Sequence, residues 1–596
     1  MSVRPSFRYL AFGVLLPCCA LWSSPIQAAS LRDGSGKLRD RARVLAESFP
    51  KESRYEAQLR LSGRIQEADR KPFTLGDDET FFVQNFDTMK KGRKAATLVA
   101  IGKHCLVYVE KGQKIRDAAL KRIVDWFDMR IYPTNTRWFG SEWTPGIDHE
   151  PKITLLFLEE IQQADGFFDP EDEYTREKCP ESNEREMLYL SIARIEDIDD
   201  MMGNLVSHEF QHLIHWNHDA KETFWVEEGL AEFSSSLHGS TPFTMADFFA
   251  HPSRNLTDWE DTEDASNYGH AFLFVRYLLT HACIDESRRQ ALTRTIVDGK
   301  QRGMTGVSEA FRRCNVKKPL PEFFRDFSAA LYLNRSRGIE PGSPLAFDPE
   351  VMKMTGKEKN NPLKPVLLTG SGPFEAKGKV KMWSSTALEV STASFPGKTR
   401  IDFAAEYPRA ATRTGKFDLG VAFVDSRDGS PAAFTWLGVD KNAFSGEVRV
   451  PAGYRRMVLI ISNQGPVRLS DQEKPLPPVA FRCSIGAPAD PGTASRGRPA
   501  GRTDRRSFQR MLTAYSSSPE AEYEEAVIDV LRAEFDRDPA GARALLENAV
   551  TAIESEAATG GDVPKSRQAL GAIRRQFEGL QGEKNRFESL HREESR

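Results

Sequence analysis

The sequence has little of two features that would assign it to other classes of protein: an excess of charge of one sign, and long apolar runs. Its 82 basic and 85 acidic side chains leave a formal net charge of −3. The chain therefore lacks the positive surplus with which nucleic-acid-binding proteins attract phosphates. After residue 29, no apolar stretch reaches the roughly 20 residues that a membrane-spanning helix needs. We expect neither a nucleic-acid partner nor an integral membrane segment in the mature chain.

Cysteine is also scarce, with seven residues in 596, and two of them lie in the first 29 residues. This stretch predicts a signal peptide, because Arg4 and Arg8 precede an apolar run at 9–21 and a small-residue cleavage site at 27–29. The apolar run is too short for a membrane anchor. We therefore expect a secreted or periplasmic protein. Export favours disulfides, and Cys283 with Cys314 is the pairing that we expect within one domain.

What the sequence does contain is a short pattern with a specific chemical meaning, His208-Glu209-x-x-His212. On an α-helix, residues four apart share a face, so both imidazoles can bind one Zn²⁺. Glu209 lies on the adjacent edge, where its carboxylate can take a proton from a water that the metal activates. The pattern predicts a metal-dependent hydrolase with Glu209 as general base.

The alternative for this motif is a surface helix that carries two solvated histidines. Its neighbours argue against that alternative, because a helix that is apolar on most sides is buried. Buried imidazoles and carboxylates need partners or a metal. The apolar neighbours are Met201, Met202, Leu205, Val206, Phe210, Leu213 and Ile214.

A third metal ligand can come from either of two places. His218 stands where a metzincin has its third histidine, but His215 occupies the position of the glycine that allows the chain to turn there. The rival is the segment Trp225–Glu232, in which Glu228 and Glu232 are four apart and share a helix face.

We favour Glu228 as the ligand, with Glu232 holding a ligating histidine in place through a hydrogen bond. Glu227 is the alternative ligand if the helix register differs by one residue. Gly229 allows this helix to pack closely against its partner.

The two motifs together resemble gluzincins, the zinc peptidases with a glutamate as third ligand, and in particular the bacterial secreted peptidases of the hyicolysin type. The likeness covers about residues 80–335. Softer matches strengthen it, among them Ile101–Val109, Ser182–Tyr189 and Asn267–Phe274.

The resemblance implies an α+β catalytic domain of the zincin type, with a small sheet followed by a mostly helical half. It also implies a polypeptide substrate, which pairs with a strand at the cleft edge. We expect that strand at 187–192. Tyr268 is our choice for the donor that holds the oxyanion, with His270 as the runner-up.

Two other functions stay open from the sequence. One is a zinc aminopeptidase, but such enzymes typically carry a G-x-M-E-N-type stretch upstream of the zinc helix, and this chain has none. The other is a surface binding or adhesion protein whose peptidase domain has decayed. The intact Glu209 argues against decay, so we expect an endopeptidase.

Changes in composition divide the rest of the chain. Residues 165–173 read as a solvated acidic loop; a structural Ca²⁺ is conceivable there, but its spacing fits no calcium-loop pattern. We predict a β-sandwich of jelly-roll type from short β-rich runs that Gly, Pro and Ser separate. The predicted units are a helical leader or propeptide at 30–77, the metallopeptidase domain at 78–340, the β-sandwich at 362–486, a linker at 487–506 and a helical tail at 507–596.

Overall fold

The computed structural model describes residues 34–49 and 72–486. Within these ranges it leaves out 241, 243, 258, 260–265, 335, 341, 355–363, 370–371, 396, 408–414 and 468–476. The predicted signal peptide, linker and helical tail lie outside the described residues. Within them, no helix combines the length and the apolar character that a membrane crossing requires.

The first half of the described chain contains a mixed six-stranded sheet in the order β1-β2-β3-β4-β6-β5. Strands β3, β4 and β6 run parallel, and the other pairs are antiparallel. The inner strands are apolar and almost fully buried, as expected of strands covered on both faces. The bounds are β1 Asp78–Asn85, β2 Lys90–Ile101, β3 Cys105–Glu110, β4 Ile153–Leu158, β5 Gly166–Phe168 and β6 Met187–Ser191.

Helices flank this sheet and form most of the chain between its last strand and Met354. A single helical turn, Ile198–Asp200, and a π-helical turn, Met201–Val206, lead directly into the helix that begins at Ser207. The helices are α1 Ser35–Ser48, α2 Asp117–Trp126, α3 Tyr132–Phe139, α4 Ser207–His218, α5 Phe224–Leu237, α6 Thr244–Ala250, α7 Ser266–Ala282, α8 Glu286–Val297, α9 Gly303–Arg313, α10 Leu320–Leu333 and α11 Pro349–Met354.

Two further sheets follow, with strand orders β13-β10-β15-β8 and β12-β11-β14-β9-β7. Helix α10 packs on β14, and the hydroxyls of Ser328 and Ser462 lie 2.9 Å apart there. The protein is therefore of mixed α+β class, as the sequence predicts. The strands are β7 Val366–Leu367, β8 Phe374–Val380, β9 Ser384–Ser391, β10 Lys398–Glu406, β11 Lys416–Ser426, β12 Ala433–Leu437, β13 Ala443–Arg449, β14 Tyr454–Gln464 and β15 Val479–Gly486.

The edge of the six-stranded sheet differs from the prediction. Strand β6, which we expected at the edge, lies between β4 and β5. The three residues of β5 pair antiparallel with it and form the edge instead. They come from the segment 165–173 that we had predicted to be a loop, because three residues are too few to show a period of two.

The acidic residues of this segment are not solvated either. Asp169, Glu171 and Asp172 are buried around the side chain of Lys91, which has no exposed surface. Lys91 Nζ lies 2.7 Å from Asp169 Oδ2 and 3.1 Å from Glu171 Oε2. The prediction of a solvated loop is wrong because a cation on β2 compensates the buried charge.

The predicted disulfide is also absent. The five described cysteines, Cys105, Cys179, Cys283, Cys314 and Cys483, are all free thiols. Cys314 Sγ lies 3.4 Å from Thr295 Oγ1, to which it donates. Export alone was the ground for expecting the pair, and it specifies no geometry.

Replacing Lys91 with methionine should strongly destabilise this fold. The substitution removes the cation that Asp169, Glu171 and Asp172 share, and breaking a buried ion pair costs about 3–5 kcal/mol. Glu171 keeps Arg41 as a second partner. Burial raises the pKa of Asp172 to about 7 although Lys91 opposes the rise. Since the folded state holds that proton more tightly than the unfolded chain does, ionisation of Asp172 opposes folding as the pH rises. The loss should thus be larger at pH 7.5 than at pH 5.

Urea unfolding at both pH values measures this effect. Lys94→Met is the matched control, because Lys94 lies on the same strand and pairs with Glu110 at the surface. It should cost less than about 1 kcal/mol. Equal losses for the two variants would contradict a stabilising role for the buried cluster.

Candidate metal centre

Two facing helices bring three potential metal ligands together. His208 and His212 lie on α4, and Glu228 lies on α5. The two Nε2 atoms are 3.0 Å apart, and Glu228 Oε2 lies 3.5 Å from His208 Nε2 and 3.4 Å from His212 Nε2. Among the described residues, this is the group of His, Cys, Asp or Glu donors close enough to hold one metal ion.

Two of these three distances are longer than good hydrogen bonds, and all three are close to those expected around a metal ion. Good hydrogen bonds to carboxylates measure about 2.7–3.2 Å between heavy atoms, which is shorter than both contacts of Glu228. Ligands about 2.0–2.1 Å from a tetrahedral Zn²⁺ lie about 3.3 Å from one another. The observed distances of 3.0, 3.4 and 3.5 Å bracket that value. The donor set, two imidazoles and one carboxylate, therefore fits zinc in both chemistry and spacing.

The charge state of Glu228 is also right for a ligand. Burial alone would raise the pKa of this enclosed carboxyl, but the imidazoles of His212 and His208 outweigh burial and lower the pKa to about 2. The side chain is therefore an anion at neutral pH. An anionic carboxylate facing two nitrogen donors is the form that binds a divalent cation.

Polar contacts behind the ligands fix how α4 and α5 meet. Ser207 precedes His208, and its carbonyl oxygen accepts hydrogen bonds from Asn135 Nδ2 and Ser234 Oγ, both at 2.9 Å. One position along α5, Ser235 Oγ donates to the carbonyl oxygen of Asn204 at 2.9 Å. The two serines of α5 thus tie it to the start of α4. Sequence reasoning missed them because serines in a helix carry no distinctive signal.

Glu227 contacts a ligand from the side opposite the metal position. Its Oε1 lies 3.5 Å from His212 Nδ1, whereas the Nε2 of the same ring faces Glu228. A carboxylate at the second ring nitrogen orients a ligating histidine and makes it a better donor. At 3.5 Å this contact is also longer than a good hydrogen bond, so it is an electrostatic contact, and it places Glu227, our alternative ligand, at the second nitrogen of His212 and outside the group of three. Glu232, for which we predicted the supporting role, accepts a hydrogen bond from Thr244 Oγ1 at 3.0 Å.

The general-base candidate, Glu209, is fully buried beside the ligands on α4. Its Oε2 accepts a hydrogen bond of 2.7 Å from the hydroxyl of Ser35, a residue of the predicted leader. Nothing in the sequence indicates this contact, because the two residues are 174 positions apart.

The remaining candidates lie in different surroundings. His218, at the end of α4, approaches the carbonyl oxygen of Ser141 at 3.0 Å and is not part of the group of three. Tyr268 is half-buried on α7 and meets Trp259 edge-to-face at 5.0 Å. His270 stacks on two phenylalanine rings, and burial lowers its pKa to about 3. Its imidazole is therefore neutral within an aromatic cluster.

Replacing Glu227 with glutamine should weaken zinc binding without removing a ligand. The amide keeps the shape but loses the negative charge near His212 Nδ1, and losses of this kind typically cost about 10- to 100-fold in metal affinity. A competition titration with a zinc indicator at pH 7.5 gives the dissociation constant. Lys221→Gln, an exposed change just before α5, is the control. An unchanged dissociation constant in Glu227→Gln would contradict the supporting role.

Comparisons with protein families and with curated proteins found no relative of this chain. No protein-family model matches the chain, and no curated protein matches it at a significant level of sequence similarity. Functional inference therefore depends on the geometry of the site.

Proposed function

We propose that the protein is an exported zinc-dependent endopeptidase. The observation that carries this proposal is the convergence of His208, His212 and Glu228 at spacings suited to zinc, with Glu209 beside them on the same helix. Two imidazole nitrogens, one carboxylate and an adjacent glutamate form the set that zinc peptidases use. The resemblance to gluzincins of the hyicolysin type supports the same class, and the predicted signal peptide supports export.

Each residue has a defined part in the proposed reaction. His208, His212 and Glu228 would hold the metal. Zinc, when bound, supplies positive charge that polarises a peptide carbonyl and acidifies a water molecule. Glu209 accepts the proton of the attacking water at its carboxylate and returns it to the leaving amine nitrogen. The donor to the oxyanion that develops on the carbonyl oxygen stays a prediction from the sequence, in which the phenol of Tyr268 fills that role.

The proposal is tested with an unfolded protein such as reduced casein and with a peptide whose amino terminus is acetylated. We expect hydrolysis of both, abolished by dialysis against a chelator and restored by zinc. Cleavage of the acetylated peptide at internal bonds distinguishes an endopeptidase from an aminopeptidase, which needs a free amine. Absence of zinc-restorable hydrolysis after prolonged incubation would contradict the proposal.

A further inference from the structure

The segment 34–49 contacts Glu209, the general-base candidate beside the three ligands. Ser35 Oγ donates to Glu209 Oε2 at 2.7 Å and accepts from the backbone N–H of Phe168 at 2.9 Å. One residue earlier, Gly34 N–H donates to the carbonyl oxygen of Gly166, also at 2.9 Å. The segment thus bonds at once to the predicted general base and to strand β5.

These contacts use the free edge of the six-stranded sheet. Strand β5 is the last strand, and only β6 pairs with it among the described strands. Its Gly166 carbonyl and Phe168 amide are therefore groups that an extended polypeptide would bond when it adds to this edge. Gly34 and Ser35 occupy both. A substrate chain cannot take the same hydrogen bonds while they are in place.

The rest of the segment is held along its length. A side chain at Gly34 would meet Phe86 Cζ at 2.8 Å, so the segment enters a space that fits glycine. Leu38 is 2 % exposed and belongs to the apolar cluster that includes Phe86 and Phe167. Arg41 pairs with Glu171, and the Phe49 ring packs on Tyr174 with a centroid distance of 5.9 Å.

From these contacts we infer that residues 34–49 are a built-in inhibitor, and that the surface beneath them, formed by the β5 edge and Glu209, is where the substrate polypeptide binds. The inference rests on the proposed peptidase function. In this inference the leader contacts the general base and covers the strand edge that pairs with substrate at the same time.

Covalent attachment is what makes such an inhibitor effective. A segment tethered to its own site acts at an effective concentration in the mM range, whereas a severed one is diluted to the protein concentration. The sequence between the segment and β1 carries Lys or Arg at 51, 54, 60, 64, 70 and 71. A trypsin-type protease can cut after each of the first five, whereas Pro72 protects the bond after Lys71. Cleavage at any of the five converts the inhibitor into a dissociable peptide.

The test uses the full chain and compares Leu38→Asp and Ser35→Ala with a control. Leu38→Asp places a charge in the apolar cluster and should undock the segment, whereas Ser35→Ala removes the bond to Glu209. Val44→Asp is the control, because Val44 lies on the same helix and is 62 % exposed. Three quantities are measured: trypsin cleavage within 34–49, hydrolysis of reduced casein, and the rate at which dipicolinate removes bound zinc.

In Leu38→Asp we expect faster trypsin cleavage, faster zinc removal and a rise in hydrolysis of at least about 10-fold, since burying an unpaired carboxylate disfavours the docked state by more than that factor. A synthetic peptide of residues 34–49 should reverse the rise. Ser35→Ala should raise hydrolysis by roughly 10- to 100-fold, the net worth of one hydrogen bond to a charged group. Val44→Asp should match the wild type in all three quantities.

The outcomes separate the two proposals. Trypsin sensitivity without any change in zinc removal or hydrolysis would overturn the inhibitor, because the segment would then undock without uncovering the site. Faster zinc removal without hydrolysis in any variant would support the covering segment and overturn the peptidase. If Leu38→Asp fails to fold, Ser35→Ala decides, and unchanged hydrolysis together with unchanged zinc removal in that variant would overturn the inference.

Discussion

Replacing Glu209 with glutamine should leave zinc and fold in place and lower hydrolysis by about 100- to 10,000-fold, the usual contribution of a general base. The amide preserves the shape of the side chain, and its oxygen can still accept the bond from Ser35 that Glu209 Oε2 accepts at 2.7 Å. It cannot accept a proton from water. Initial rates on reduced casein, zinc content and the melting temperature are measured for the same samples.

Glu196→Gln is the matched control for this experiment. It makes the same chemical change at an exposed position before α4 and should keep wild-type rates. Turnover within a factor of a few of the wild type in Glu209→Gln would identify another residue as the base. Loss of zinc in that variant would instead mean that Glu209 helps to hold the metal.

Replacing His212 with alanine should abolish tight zinc binding. Its Nε2 lies 3.0 Å from His208 Nε2 and 3.4 Å from Glu228 Oε2. The substitution therefore removes one of the three candidate ligands and leaves the other two. A site built for three ligands holds zinc poorly with two. After dialysis against a chelator, the variant should contain almost no zinc and show no hydrolysis. Full zinc content in His212→Ala would contradict the site.

His251→Ala is the control for that loss, because His251 is exposed and outside the group of three. It should retain the zinc content and the activity of the wild type. Loss of zinc in both variants would point to general destabilisation of the protein, which the melting temperatures reveal.

The grouping of the three candidate ligands could be predicted from the sequence because it depends largely on local geometry. The four-residue spacing of His208 and His212 fixes a shared helix face whatever the rest of the chain does. Glu228 could be selected in the same way from the spacing within α5. The structure then places these three side chains together, at distances that spacing alone could not provide.

Features that depend on distant parts of the chain could not be predicted. The identity of the edge strand depends on the pairing of β5 with β6, which no local pattern specifies. The burial of Asp169 and Asp172 depends on Lys91, a residue of another strand. Such contacts are chosen by packing and by the need to compensate buried charge, and both are properties of the assembled fold.

The residue that contacts His212 Nδ1 could not be predicted for the same reason. Two adjacent acids, Glu227 and Glu228, differ by one position on α5, and only the crossing of α4 and α5 determines which faces Nε2 and which faces Nδ1. The four-residue spacing selected Glu228 with Glu232 as its predicted support, and it could not indicate that Glu227 faces Nδ1 of His212.

The zinc content of Glu228→Ala compared with that of His218→Ala tests the central claim most directly. Both variants are dialysed against the same chelator beside the wild type, and zinc is measured by mass spectrometry. We predict about one zinc ion per chain in the wild type and in His218→Ala, and almost none in Glu228→Ala, because Glu228 completes the three-ligand set. Retention of zinc in Glu228→Ala with loss of zinc in His218→Ala would contradict both the ligand set and the class of enzyme proposed.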